Sequence, residues 1–167
     1  MIDWNGRVRV AGALVLGLVS VAALGQSGAQ ARSNPKAAAV EFLFPVQISI
    51  PAGRPTTVAL HFRIAQGMHI NSHTPREEEL IPTTLSIPEA SGVRLDGAAY
   101  PPGTEFTLPL EPKEKLSVYT GEFTIQARMM AASGDHLVEA KLRYQACDNN
   151  ACMPPRTITV PIDVLGK

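Results

Sequence analysis

The sequence predicts an antiparallel β-sandwich, and three observations carry that expectation. Apolar and polar residues alternate with period two over several short segments. Gly and Pro turn signals recur between those segments at regular spacing. Outside the N-terminal leader, no window of ten residues carries a helical period of 3.6. Short strands without helices are built into sandwiches or barrels, because each apolar face must be covered by another sheet.

Taken in order, the chain opens on a leader. Arg7 and Arg9 form a basic start, Val10 to Leu24 is an uncharged, mostly apolar run of fifteen residues, and Ala29-Gln30-Ala31 supplies a small-x-small cleavage pattern. Residues 1–31 therefore read as a secretory signal peptide. The run is short for a membrane span of about 20 residues, and no lipid-accepting cysteine follows it. Residues 32–37 form a disordered lead-in, and residues 38–167 a single sandwich domain.

Val40 to Ile50 is largely apolar and partly alternating; Pro51 to Pro55 turns the chain. Thr57 to Ile64 alternates again through Val58, Leu60, Phe62 and Ile64, and Gly67 ends the run. Met68 to Leu80 reads as a loop with a short extended start. Thr83 to Ile87 and Val93 to Tyr100 are further strands, and Thr104 to Lys115 reads as a long loop interrupted by proline. In Leu116 to Met130 the apolar phase switches across Gly121, which predicts a bulge or hairpin turn there. His136, Val138, Ala140, Leu142, Tyr144 and Ala146 fall on one face of the next strand, with Glu139, Lys141, Arg143, Gln145 and Cys147 on the other. Arg156 to Val164 repeats the pattern, with Ile158, Val160, Ile162 and Val164 inward.

Charge excludes some partners. Cleavage after Ala31 leaves 13 basic against 14 acidic side chains, so the exported chain has no field for nucleic acid or an anionic membrane. No second apolar run exists to embed it in a bilayer. Export places the chain's two cysteines in an oxidising compartment, where a disulfide persists.

Those cysteines, Cys147 and Cys152, flank four residues between two strand-like segments. Opposed residues of an antiparallel pair stand roughly 4.5 Å apart at their Cα atoms, near enough for a disulfide. Cys147 lies in phase with charged residues and is expected to face solvent, where a thiolate can reach it. Three readings stay open. A redox-active pair suits the spacing and the phase. A structural staple over so short a loop would constrain the unfolded chain by only about 2 kcal/mol. A copper site could draw on the cysteines with Met68, His69, His73, Met129, Met130 and Met153, but no tight cluster of such ligands exists. His69 and His73 stand four apart on an extended segment, so they are expected to be loop or hydrogen-bonding histidines. Two cysteines are too few for structural zinc, and no nucleotide-binding, metalloprotease or serine-hydrolase motif is present.

Tyr144-Gln145-Ala146-Cys147 followed by Cys152-Met153-Pro154-Pro155 resembles the cysteine signature of the N-terminal periplasmic domain of the thiol:disulfide interchange protein DsbD. Met68 to His73 through Leu80-Ile81-Pro82-Thr83, Tyr100-Pro101-Pro102-Gly103, and Leu116 to Gly121 are similar to other parts of that family. The resemblance implies an immunoglobulin-like sandwich in the periplasm with one redox-active disulfide and no cofactor. It implies a thioredoxin-like electron donor, a separate membrane electron-transfer protein, and oxidised partner proteins as acceptors. Cys147 and Cys152 would carry the exchange, Cys152 forming the mixed disulfide. Glu105-Phe106 resembles part of the family's cap, and Tyr144, Met153 and Pro154 would surround the site. The best-known members of the family have five residues between the cysteines, where this chain has four. The competing functions are an exported binding module with a structural disulfide and a periplasmic copper-binding protein.

Overall fold

The computed structural model describes residues 38–108 and 111–167, the side chains of residues 111 and 112 apart. The expected signal peptide and lead-in lie outside the described residues.

The alternation read from the sequence becomes two four-stranded sheets. The first contains β1 (Val40–Phe44), β3 (Thr56–Ile64), β9 (Glu122–Ala131) and β6 (Val93–Ala99), in the spatial order β1-β3-β9-β6, all antiparallel. The second contains β2 (Gln47–Ile50), β12 (Arg156–Gly166), β10 (Gly134–Tyr144) and β5 (Thr84–Ser86), in the order β2-β12-β10-β5. Only β2 runs parallel to its neighbour there. The inward residues of both sheets form one apolar cluster: Leu60, Phe62, Ile125 and Met129 from the first, Val138, Leu142, Tyr144 and Ile162 from the second, all buried. The expected all-β sandwich is therefore present, with antiparallel pairing throughout apart from that one edge. A 3-10 turn, Glu89–Ser91, leads into β6.

A third, smaller sheet carries the cysteine segment. It consists of β11 (Ala146–Cys147), β4 (His69–Asn71), β8 (Glu111–Tyr119) and β7 (Thr104–Leu108), in that spatial order. Its strands continue those of the sandwich. β3 passes through the Ala65–Met68 turn into β4, β10 passes through Gln145 into β11, and β8 passes through Thr120-Gly121 into β9. Gly121 has φ +62°, a left-handed conformation that favours glycine.

Four expectations are corrected here. Val40 to Ile50 is two strands in two sheets, divided at Phe44-Pro45. The phase switch at Gly121 is neither a bulge nor a hairpin: β8 and β9 lie in different sheets, so each alternates against a different surface. Thr104 to Lys115 is not a loop but most of the β7–β8 hairpin. The hairpin fits closely over β4, for a side chain at Gly103 would collide with Ser117 Oγ and Ser72. Finally, Cys147 does not face solvent. The phase of β10 ends at Tyr144, the last residue paired with β12, and Cys147 pairs instead with His69 in the third sheet. It is 1% exposed.

Candidate thiol:disulfide site

Cys147 and Cys152 form a disulfide, with Cα atoms 3.9 Å apart, and oppose one another as an isolated antiparallel bridge. The two are unequal, because Cys147 is buried and Cys152 exposed. The sequence places them so through local chemistry. Asp148 starts a tight turn, its amide donating to Ala151 O at 3.0 Å. Its Oδ1 accepts the amides of Asn150 and Ala151 at 2.7 and 2.9 Å. This is the side-chain-to-backbone turn that Asp and Asn favour. Those two amides hold the Asp148 carboxyl below its usual range, with His69 adding a smaller pull. Asp148 is thus the organiser of the loop. The Met153 amide donates to Ala146 O at 2.8 Å and closes the far side.

Gln145 ties the loop to the rest of the sheet. Its Oε1 accepts from Asn71 Nδ2 at 3.2 Å, and its Nε2 donates to Met153 O at 3.3 Å. Asn71 Nδ2 also donates to Ile81 O at 3.1 Å, and Thr83 Oγ1 donates to Asn71 O at 2.6 Å. Sequence reasoning missed Gln145, Asn71 and Asp148 as site residues. Asp-Asn-Asn between the cysteines was a legible turn signal; the partners of Gln145 and Asn71, 74 positions apart, were not.

Of the residues expected around the site, Phe106 is half-buried and packs its ring on His69, with centroids 4.4 Å apart. The adjacent Glu105 is exposed and joins Arg76 and Lys115 at 2.9 and 2.8 Å, binding the hairpin to the loop after β4. Met153 and Pro154 are exposed beside Cys152. Tyr144 is fully buried in the main core, beneath the loop and not on its surface. The two histidines separate. His73 stacks on Tyr100 with centroids 3.8 Å apart, and its Nδ1 lies 2.9 Å from Thr83 O. His69 is 2% exposed, opposes Cys147, and leaves Nε2 without a hydrogen-bond partner. Burial pushes the His69 pKa below its ordinary value of 6.5, and Asp148 draws it partly back. A cleft of about 580 Å³ opens beside this ring, bordered by Arg63, Met68, His69, Phe106, Glu122 and Asn149. Among the described residues, no group of three or more His, Cys, Asp or Glu converges as a metal site.

The site is a short loop disulfide between one buried and one exposed cysteine, beside a buried histidine. The family model for the N-terminal part of the thiol:disulfide interchange protein DsbD matches residues 35–163. The chain belongs to the DsbD N-terminal domain family. Among solved structures it is similar to the Neisseria meningitidis DsbD N-terminal domain in the reduced form, at 21% identity and a TM-score of 0.47. That similarity covers 69% of this chain and 82% of the Neisseria chain. No curated protein matches the sequence at a significant level. Among the described residues, no helix is long and apolar enough to cross a membrane.

Proposed function

We propose that this DsbD N-terminal family member is an exported, periplasmic module for thiol:disulfide exchange, with residues 1–31 as its cleaved leader and 38–167 as its working domain. The observation that carries the reading is the asymmetry of the pair: Cys152 exposed, Cys147 buried behind it. An incoming thiolate has access to one sulfur, and the other is held for resolution. A partner thiolate attacks Cys152 Sγ, the Cys147–Cys152 bond breaks, and a mixed disulfide joins Cys152 to the partner. In the opposite direction Cys147 attacks Cys152 Sγ and frees the partner. The donor in this scheme is a thioredoxin-like protein supplied through a separate membrane electron-transfer protein, and the acceptors are oxidised periplasmic proteins. Phe106, carried on the β7–β8 hairpin and seated on His69, acts as the cap of the site.

The reduction potential of the Cys147–Cys152 pair tests this reading. It is measured by equilibrating the protein in graded glutathione buffers and trapping free thiols by alkylation. A potential near about −200 mV, among exchange proteins, is expected. A value below about −300 mV marks a structural disulfide and leaves the chain as a binding module.

A further inference from the structure

A buried thiol is a poor nucleophile, because apolar surroundings disfavour the thiolate that must attack. Cys147 has this problem whenever it resolves a mixed disulfide, since it is 1% exposed. Its opposite neighbour across the β11–β4 ladder is His69. Directly opposed residues of an antiparallel pair carry Cβ atoms roughly 5 Å apart. His69 is itself 2% exposed, and its Nε2 is a buried nitrogen with no hydrogen-bond partner, which is uncommon in a folded protein. Phe106 holds the ring in place, and the cleft beside it gives a proton a way out.

The other charged groups around the ring are already engaged. Asp148, from the cysteine loop, accepts two backbone amides. Arg63 of β3 and Glu122 of β9, on the cleft wall, are paired with each other at 2.9 Å. Glu105 of β7 is held by Arg76 and Lys115. A neutral imidazole remains the free base beside Cys147.

Building on the exchange reading above, we propose that His69 is a catalytic residue, the proton acceptor for Cys147 in the resolving step. With Cys152 joined to a partner, Nε2 takes the Sγ–H proton of Cys147 as that sulfur attacks Cys152 Sγ. The Cys147–Cys152 bond forms and the Cys152–partner bond breaks. The electron pair of the broken bond leaves on the partner sulfur as a thiolate, so the two cysteines are oxidised and the partner reduced. The imidazolium passes its proton to water in the cleft. When a donor reduces the disulfide, the ring takes a proton from water in the cleft and passes it to Cys147 as its sulfur leaves. Because burial lowers its basicity, the ring is neutral at pH 7 and gives the proton up readily.

The test uses the full chain, reduced and mixed with oxidised glutathione between pH 5 and pH 9.5. Acid-quenched samples are followed by mass spectrometry as the glutathione adduct on Cys152 forms and decays. The wild-type decay rate is expected to stay nearly level around neutrality and to fall only in acid, at a pH lower than the ordinary imidazole value. His69→Gln should slow adduct decay roughly 10²-fold at pH 7, the usual scale of general-base assistance. Its rate should then climb with pH and meet the wild type near pH 9, as Cys147 ionises unaided. His69→Phe keeps a ring in the slot against Phe106 without a base, and should show the same profile. Variants that decay with the wild-type pH profile, however uniformly slowed, overturn the assignment while leaving the exchange reading intact. A wild type that forms no adduct, or never resolves it, overturns both.

Discussion

At the scale of single residues, the site is set by side chains that hold positions for others. Asp148 folds the four-residue loop, Gln145 fastens it to Asn71, and His69 sits buried against Cys147. The last of these makes stability depend on pH. In the unfolded chain His69 takes up a proton near its ordinary pKa of 6.5, while in the folded chain burial holds the ring neutral to lower pH. Unfolding therefore binds a proton below pH 6.5, and the contribution of the neutral ring is lost as pH falls. Urea unfolding is expected to give a lower stability at pH 5.5 than at pH 7, with a smaller drop in His69→Phe. An equal drop in both proteins would mean that His69 is not the titrating group. The identities of Asp148 and His69 were legible in the sequence, but their work was not, because a turn and a cross-strand neighbour are set by partners that spacing alone does not name.

At the scale of elements, the alternating strands of the sandwich were readable and the third sheet was not. β9, β10 and β12 repeat apolar residues at every second position because each has one face on the core. The segment from Thr104 to Lys115 carries prolines and charges, the composition of a loop, yet pairs as a hairpin because β4 offers it an edge and Gly103 lets it approach. That hairpin is where access to the site is controlled. Phe106→Ala removes the ring from His69 and is expected to raise the rate of disulfide reduction by dithiothreitol severalfold, read by stopped-flow alkylation. The ring is only half-buried, so the fold should lose about 1 kcal/mol in urea unfolding. An unchanged or slower reduction rate would remove Phe106 from the role of cap.

At the scale of the whole molecule, stability and chemistry occupy different parts of the chain. The core between the two large sheets holds Leu60 and Ile125, both fully buried, whereas the disulfide closes a short loop at the edge of the third sheet. Leu60→Ala is expected to cost about 2–5 kcal/mol and to spare the reduction potential of the molecules that remain folded. Replacing both Cys147 and Cys152 by Ala should cost only about 2 kcal/mol and abolish exchange with glutathione. If the cysteine replacement were the more damaging of the two in urea unfolding, the disulfide would be the main staple of the fold. The sequence by itself determined the all-β class, the two sandwich faces and the pair of cysteines, because period-two alternation and spacing are local properties that survive without knowledge of neighbours. Only the tertiary structure decided that Cys147 is buried. Whether a residue near a strand end faces water depends on which sheet receives it, and β11 leaves the partner of β10 to pair with β4.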